Sequence, residues 1–173
     1  METQTHTPTD ANTNTNPDAS ATSIESTAPA AKTYAGSCHC GAVRFEVTAD
    51  LGAGAGRCNC SICTKVSQLG GIVKPEAFRL LSGTESLSSY GWGGRTSMRF
   101  FCKHCGVHGF ARGNLAELGG DYVSINYNCL DGVELSALPV IYWDGRHDNW
   151  YAGPRPTPWP ILDATPGNGD GGQ

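Results

Sequence analysis

The chain has 173 residues, with 12 Lys and Arg against 16 Asp and Glu, a net charge of −4 at neutral pH. That length fits one domain with tails, and without a basic run the chain offers little to a nucleic-acid backbone. No apolar segment approaches membrane-spanning length, so a soluble protein with neither nucleic-acid nor membrane partners is expected.

Residues 1–33 are built mainly from Thr, Asn, Ala, Ser and Pro, and Ile24 is the one large aliphatic side chain as far as Lys32. Such a segment buries too little apolar surface to offset its ordering entropy, and a disordered N-terminal tail is predicted. It carries neither a basic n-region nor an apolar run, so no secretory signal is read there. It also lacks arginine, which argues against a mitochondrial presequence. A cytoplasmic, reducing location is expected.

A folded domain is predicted over residues 34–152. Val43-Arg44-Phe45-Glu46-Val47 alternates apolar and polar side chains, the signature of a half-buried strand. Leu51 to Gly56 reads as flexible, and the Cys58 cluster that follows it is predicted to lie in a loop. Gly70 to Lys74 is a second strand candidate, and Pro75 to Phe78 reads as one helical turn opened by proline. Ser86 to Trp92 and Thr96 to Phe101 are predicted strands separated by Gly93-Gly94. Val107 to Ala111, Tyr122 to Asn126 and Val140 to Trp143 follow. No window carries a long 3.6-period apolar stripe, and the one marginal helix lies around Asn114 to Leu118. The pattern predicts an all-β domain of short antiparallel strands. Residues 153–173 are predicted to form a Pro/Gly-rich C-terminal tail. Its alternating prolines from Pro154 to Pro160 favour an extended segment that Trp159 anchors on the domain. Pro166 to Gln173 is expected to be flexible.

Seven of the eight cysteines fall into three clusters where strands stop: Cys38-His39-Cys40, Cys58-Asn59-Cys60-Ser61-Ile62-Cys63 and Cys102-Lys103-His104-Cys105. A closed structural zinc site takes four ligands in a tetrahedron. Two clusters of two close one such site. The cluster of three leaves a second site one ligand short, and catalytic zinc keeps such a position for water or substrate. Two zinc ions with different jobs are therefore expected. Disulfides need an oxidising compartment, and thiols are the expected state in a reducing one. A redox reading of Cys102-x-x-Cys105 lacks the strand-helix-strand pattern it requires. Cys-x-x-Cys-Gly at a strand end is a zinc-knuckle pattern, in which Gly106 lets backbone N–H groups turn toward the sulfurs.

Other residues near the clusters have a plain and a functional reading. Arg57 and Lys65 bracket the three-cysteine cluster and are candidate contacts for an anionic substrate. Lys103 and His104 lie in the other knuckle. Solvated surface charge is the plain alternative for each. His39, His104 and His108 are candidate fourth ligands, with a peripheral role favoured for His104 inside its turn. Cys129 is read as a buried strand thiol, with a role near the three-cysteine site as the alternative. Trp143 and Trp150, in the stretch Val140 to Trp150, are read as packing residues. No Gly-x-Ser-x-Gly elbow supports a Ser/His/Asp triad.

The runs Gly36-Ser37-Cys38-His39-Cys40-Gly41-Ala42-Val43-Arg44-Phe45, Cys58-Asn59-Cys60-Ser61-Ile62-Cys63 and Phe101-Cys102-Lys103-His104-Cys105-Gly106 resemble the glutathione-dependent formaldehyde-activating family. That family is also called the centromere protein V/GFA domain family. The resemblance spans about Tyr34 to Trp150 and includes all seven cysteines of the pattern. It implies a β-tent fold with two zinc ions. By the resemblance, Cys38, Cys40, Cys102 and Cys105 hold a structural zinc. Cys58, Cys60 and Cys63 hold a second zinc associated with thiol chemistry on glutathione, which is the implied thiol substrate. The implied activity is S-(hydroxymethyl)glutathione formation from glutathione and formaldehyde, classed as a carbon–sulfur lyase reaction.

Three functions remain on the sequence. The first is a zinc enzyme acting on a thiol–aldehyde adduct, with small-molecule thiol and aldehyde partners. The second is a non-catalytic zinc-dependent thiol carrier or binding module. The third is a nucleic-acid-associated domain, which the negative charge disfavours. The sequence leaves homo-oligomerisation open.

Overall fold

The structure, a computed structural model, describes residues 31–91, 94 and 96–162. The predicted disorder as far as Ala30 and the predicted flexible end from Pro166 lie outside these residues. So do Trp92 and Gly93, at the end of one predicted strand.

Among the described residues, ten strands make two sheets. The small sheet pairs β1 (Lys32–Ser37), β2 (Arg44–Ala49) and β5 (Phe78–Ser82) in the order β1-β2-β5. The large sheet runs β10-β3-β4-β9-β8-β7-β6. Its strands are β3 (Ala55–Cys58), β4 (Gly70–Val73), β6 (Leu87–Tyr90), β7 (Ser97–Cys102), β8 (His108–Leu115), β9 (Gly120–Asn126) and β10 (Val140–Trp143). The pairings are antiparallel except one: β10 runs parallel to β3, with Trp143 opposite Cys58. A parallel pair requires a long crossover, and here the chain travels through most of the domain between the two strands.

Alternation builds the core. Phe45 and Val47 of β2 and Phe78 of β5 face Phe110, Val123 and Ile125 of the large sheet. The rings of Phe78 and Phe110 lie 4.7 Å apart and those of Phe45 and Phe110 6.1 Å apart, edge to face. Burying each such side chain is worth roughly 1.5–3 kcal/mol. Gly36 of β1 lies against the Phe45 ring, where a Cβ would collide with it. No helix among the described residues is long and apolar enough to cross a membrane.

Four local expectations change. Lys32 and Thr33, assigned to the disordered tail, begin β1 and pair with Ala49 and Thr48 of β2. The Leu51 to Gly56 run is not flexible loop: Leu51–Ala53 is a 3₁₀ turn, started by the Asp50 side chain accepting from Gly52 N–H at 2.9 Å, and β3 begins at Ala55. The three-cysteine cluster is not in a loop, since Cys58 ends β3 and Cys63 lies in α1 (Ser61–Lys65). The marginal helix at Asn114 to Leu118 is the end of β8 followed by a 3₁₀ turn at Ala116–Leu118.

Candidate metal centres and the adjoining cavity

Two turns assemble the first group. Cys38 and Cys40 follow β1, where Gly41 takes φ +75° and its N–H donates to the Cys38 carbonyl at 3.0 Å. Cys102 ends β7, and Gly106 repeats the device with φ +74° and a 2.8 Å bond to the Cys102 carbonyl. A positive φ is open to glycine at little cost. The Val43 N–H reaches Cys38 Sγ at 3.3 Å. Backbone N–H groups of Val107 and Cys40 hold the Cys105 thiol down to about 6.

The four sulfurs of Cys38, Cys40, Cys102 and Cys105 lie within 4.8 Å of one another. Cys40 Sγ is 3.5 Å from Cys38 Sγ and 3.6 Å from Cys102 Sγ. A tetrahedron with metal–sulfur bonds of about 2.3 Å needs sulfurs about 3.8 Å apart, so the set fits a tetrahedral ion closely. Cys38 and Cys102 are buried against Val43, with Leu80, Leu87 and Val107 packed around them.

The second group uses one helical turn. Cys60 is the N-cap of α1 and Cys63 lies three residues on, so both face the same side. Cys58 arrives from β3, and the Cys60 N–H donates to its sulfur at 3.4 Å. The three sulfurs lie within 4.8 Å of one another. Hydrogen bonds from the Cys58 and Cys63 thiols draw Cys60 far below the ordinary thiol range, and Arg99 adds to the shift. Cys63 is pushed far up by the same sharing with Cys58 and Cys60, and burial adds to it. A thiolate is thus favoured within the group, as a metal ligand requires. Among the described residues, no histidine or carboxylate joins either group. His104 meets Ser86 Oγ at 3.1 Å, His108 stacks on Phe101 with centroids 5.0 Å apart, and His39 is exposed.

A part-buried polar tie fixes the three-cysteine segment between β3 and α1. Asn59 Nδ2 donates to Asp144 Oδ1 at 2.7 Å and to the Pro160 carbonyl at 3.2 Å, and Asn59 Oδ1 accepts from Arg146 N–H at 2.8 Å. Asp144 is 4% exposed and also meets His147 Nδ1 at 2.8 Å. Gly145 follows it, and a Cβ there would collide with Cys58 Sγ. Trp143 and Trp150 have ring centroids 6.4 Å apart, although Trp150 stays half exposed.

Beside this group opens a cavity of about 170 Å³, lined by Cys58, Cys63, Arg57, Gln68, Trp143 and Trp159 among others. The Pro-rich segment supplies one wall. Trp159 Nε1 donates to the Tyr142 carbonyl at 2.9 Å, and Arg155 lies 3.9 Å from the Trp159 ring centroid. Arg57 stands exposed on the cavity wall, while Lys65 is exposed at the end of α1. The cation that reaches a sulfur is Arg99, which the sequence reading did not single out: its Nη2 donates to Cys63 Sγ at 3.0 Å. Its signal was a lone arginine in the apolar strand before Cys102. Cys129 is buried, in a 3₁₀ turn and not in a strand, with its thiol 3.5 Å from the His108 carbonyl.

A β-rich domain thus carries one four-cysteine and one three-cysteine group, each of which could hold a metal ion. The chain belongs to the glutathione-dependent formaldehyde-activating enzyme family, whose model matches residues 33–144. A crystal structure of a Rhodobacter sphaeroides protein is similar to it, with 32% identity and a TM-score of 0.53 over 61% of this chain and 98% of that one.

Proposed function

We propose that this protein joins a small thiol, glutathione, to formaldehyde, giving S-(hydroxymethyl)glutathione, a reaction of the carbon–sulfur lyase class. The observation that carries the reading is the three-cysteine group, which has no fourth ligand among the described residues and borders an open cavity. In this reading Cys38, Cys40, Cys102 and Cys105 hold a structural zinc, and Cys58, Cys60 and Cys63 hold a second. The second ion, when bound, supplies an open position at which a thiol is held as its thiolate at neutral pH.

The remaining roles belong to the chain. Arg57 on the cavity wall and Lys65 near the cluster attract the carboxylates of the tripeptide. Trp143 and Trp159 exclude water from two sides. The Asn59–Asp144 tie holds the turn from β3 into α1 against the end of β10, so the sulfurs stay in one geometry. The thiolate sulfur adds to the carbonyl carbon of formaldehyde, the π electrons move to its oxygen, and that oxygen takes a proton.

Formaldehyde consumption by glutathione, followed by NMR with zinc-loaded protein, tests this. The reading expects acceleration that Cys60→Ser abolishes. Glutathione binding without acceleration identifies a carrier instead.

A further inference from the structure

Successive side chains of β7 point to opposite faces of the large sheet. Phe100 packs on Phe110, with centroids 5.1 Å apart, while Arg99 beside it turns to the helix. Its Nη2 meets Cys63 Sγ at 3.0 Å and its Nη1 meets Gln68 Oε1 at 3.4 Å. Gln68 is itself held: its N–H donates to the Cys63 carbonyl at 2.9 Å and its Nε2 to the Ile125 carbonyl at 3.3 Å. The guanidinium is therefore aimed at the sulfur from the sheet side.

Charge explains what such a contact does. Three thiolates around a divalent zinc ion carry a net −1, and a fourth thiolate makes it −2. A charge of that size in a partly buried site needs compensation. Charge-assisted hydrogen bonds are the strong ones, and groups that hold metal ligands in this way commonly shift affinity. At the four-cysteine group, backbone N–H donors such as Val43 serve the sulfurs.

We propose that Arg99 is a positioning residue of the three-cysteine site. Its charged bond to Cys63 Sγ offsets the charge of the metal–thiolate group, and so sets how tightly that site holds its metal and an incoming thiolate. The proposal rests on the reading that Cys58, Cys60 and Cys63 hold zinc.

The test compares zinc-loaded wild type, R99K and R99Q by competition with a chromophoric chelator, with Cys60→Ser marking the signal of the four-cysteine site. The expected order of affinity at the three-cysteine site is wild type, then R99K, then R99Q. R99Q should lose about 10–100-fold. R99K should lose less, since lysine keeps the charge without the two-pronged fork. The four-cysteine site should be unchanged, which a general packing defect would not allow. Equal affinities in all three proteins overturn the proposal. So does equality of wild type and R99K, should R99Q not fold.

A second arm titrates the loaded proteins with glutathione and with 2-mercaptoethanol, which has no carboxylate. Weakening of both by a similar factor in R99Q supports action through the site's charge. Loss confined to glutathione overturns it, because Arg99 would then be reading the substrate. If wild type binds neither thiol, the proposed function fails, and the metal arm alone decides the role of Arg99.

Discussion

Cys102 and Cys60 sit in different mechanical positions. Cys102 is 1% exposed and holds a turn against the packed core, whereas Cys60 caps a short, half-exposed helix. Cys102→Ser should cost several kcal/mol of metal-linked folding energy, on the order of 10 °C in Tm for a chain of this size. Cys60→Ser should melt close to wild type. Differential scanning calorimetry of the two variants checks this, and equal shifts would contradict the division of roles. Gly145→Ala should drive a methyl group into Cys58 Sγ and lower metal content at the three-cysteine site alone. Cys129 should behave as an inert core thiol. Burial raises it to about 11 from 9.0, so the fold favours the protonated form. That preference is complete below pH 9 and is lost as pH rises through about 11. At pH 8, alkylation followed by mass spectrometry should leave Cys129 unmodified in the native protein. The seven clustered cysteines were legible as candidate metal ligands because such ligands follow short spacing rules. Arg99 was not, because its contact joins residues 36 apart in sequence through the packing of β7 on α1.

At the scale of elements, the strands rich in apolar alternation, such as β2 and β9, could be read directly. β3 could not: Ala55-Gly56-Arg57-Cys58 has no β-branched or aromatic side chain. It is a strand because β10 and β4 pair with it on both sides. Strand preference of this kind comes from neighbours more than from the residues themselves. α1, with five residues, is too short to show a helical period. The C-terminal wall was legible in part, since its prolines and Trp159 marked an extended, anchored segment. Trp159→Ala removes a ring, its bond to the Tyr142 carbonyl and the stack with Arg155. The expected outcome is about tenfold weaker glutathione binding, roughly 1.4 kcal/mol, with unchanged metal content, measured by calorimetry and metal analysis.

For the whole molecule, the four-cysteine group has a topological role. Cys38 and Cys40 lie between strands of the small sheet, and Cys102 and Cys105 lie between strands of the large one. A metal bound there would tie the two sheets together, beside the phenylalanine core that joins their faces. The three-cysteine group is built from the large sheet and α1 alone, so a metal bound there could leave without separating the sheets. Stepwise chelation should therefore remove one metal with the far-ultraviolet circular dichroism intact and the second with cooperative unfolding. The most direct measurement of the central claim is calorimetric titration of glutathione into protein carrying two zinc ions, repeated in buffers of different ionisation enthalpy. The expected result is saturable binding with release of about one proton per thiol, since the bound form is the thiolate. Absence of binding to the fully loaded protein would contradict the account.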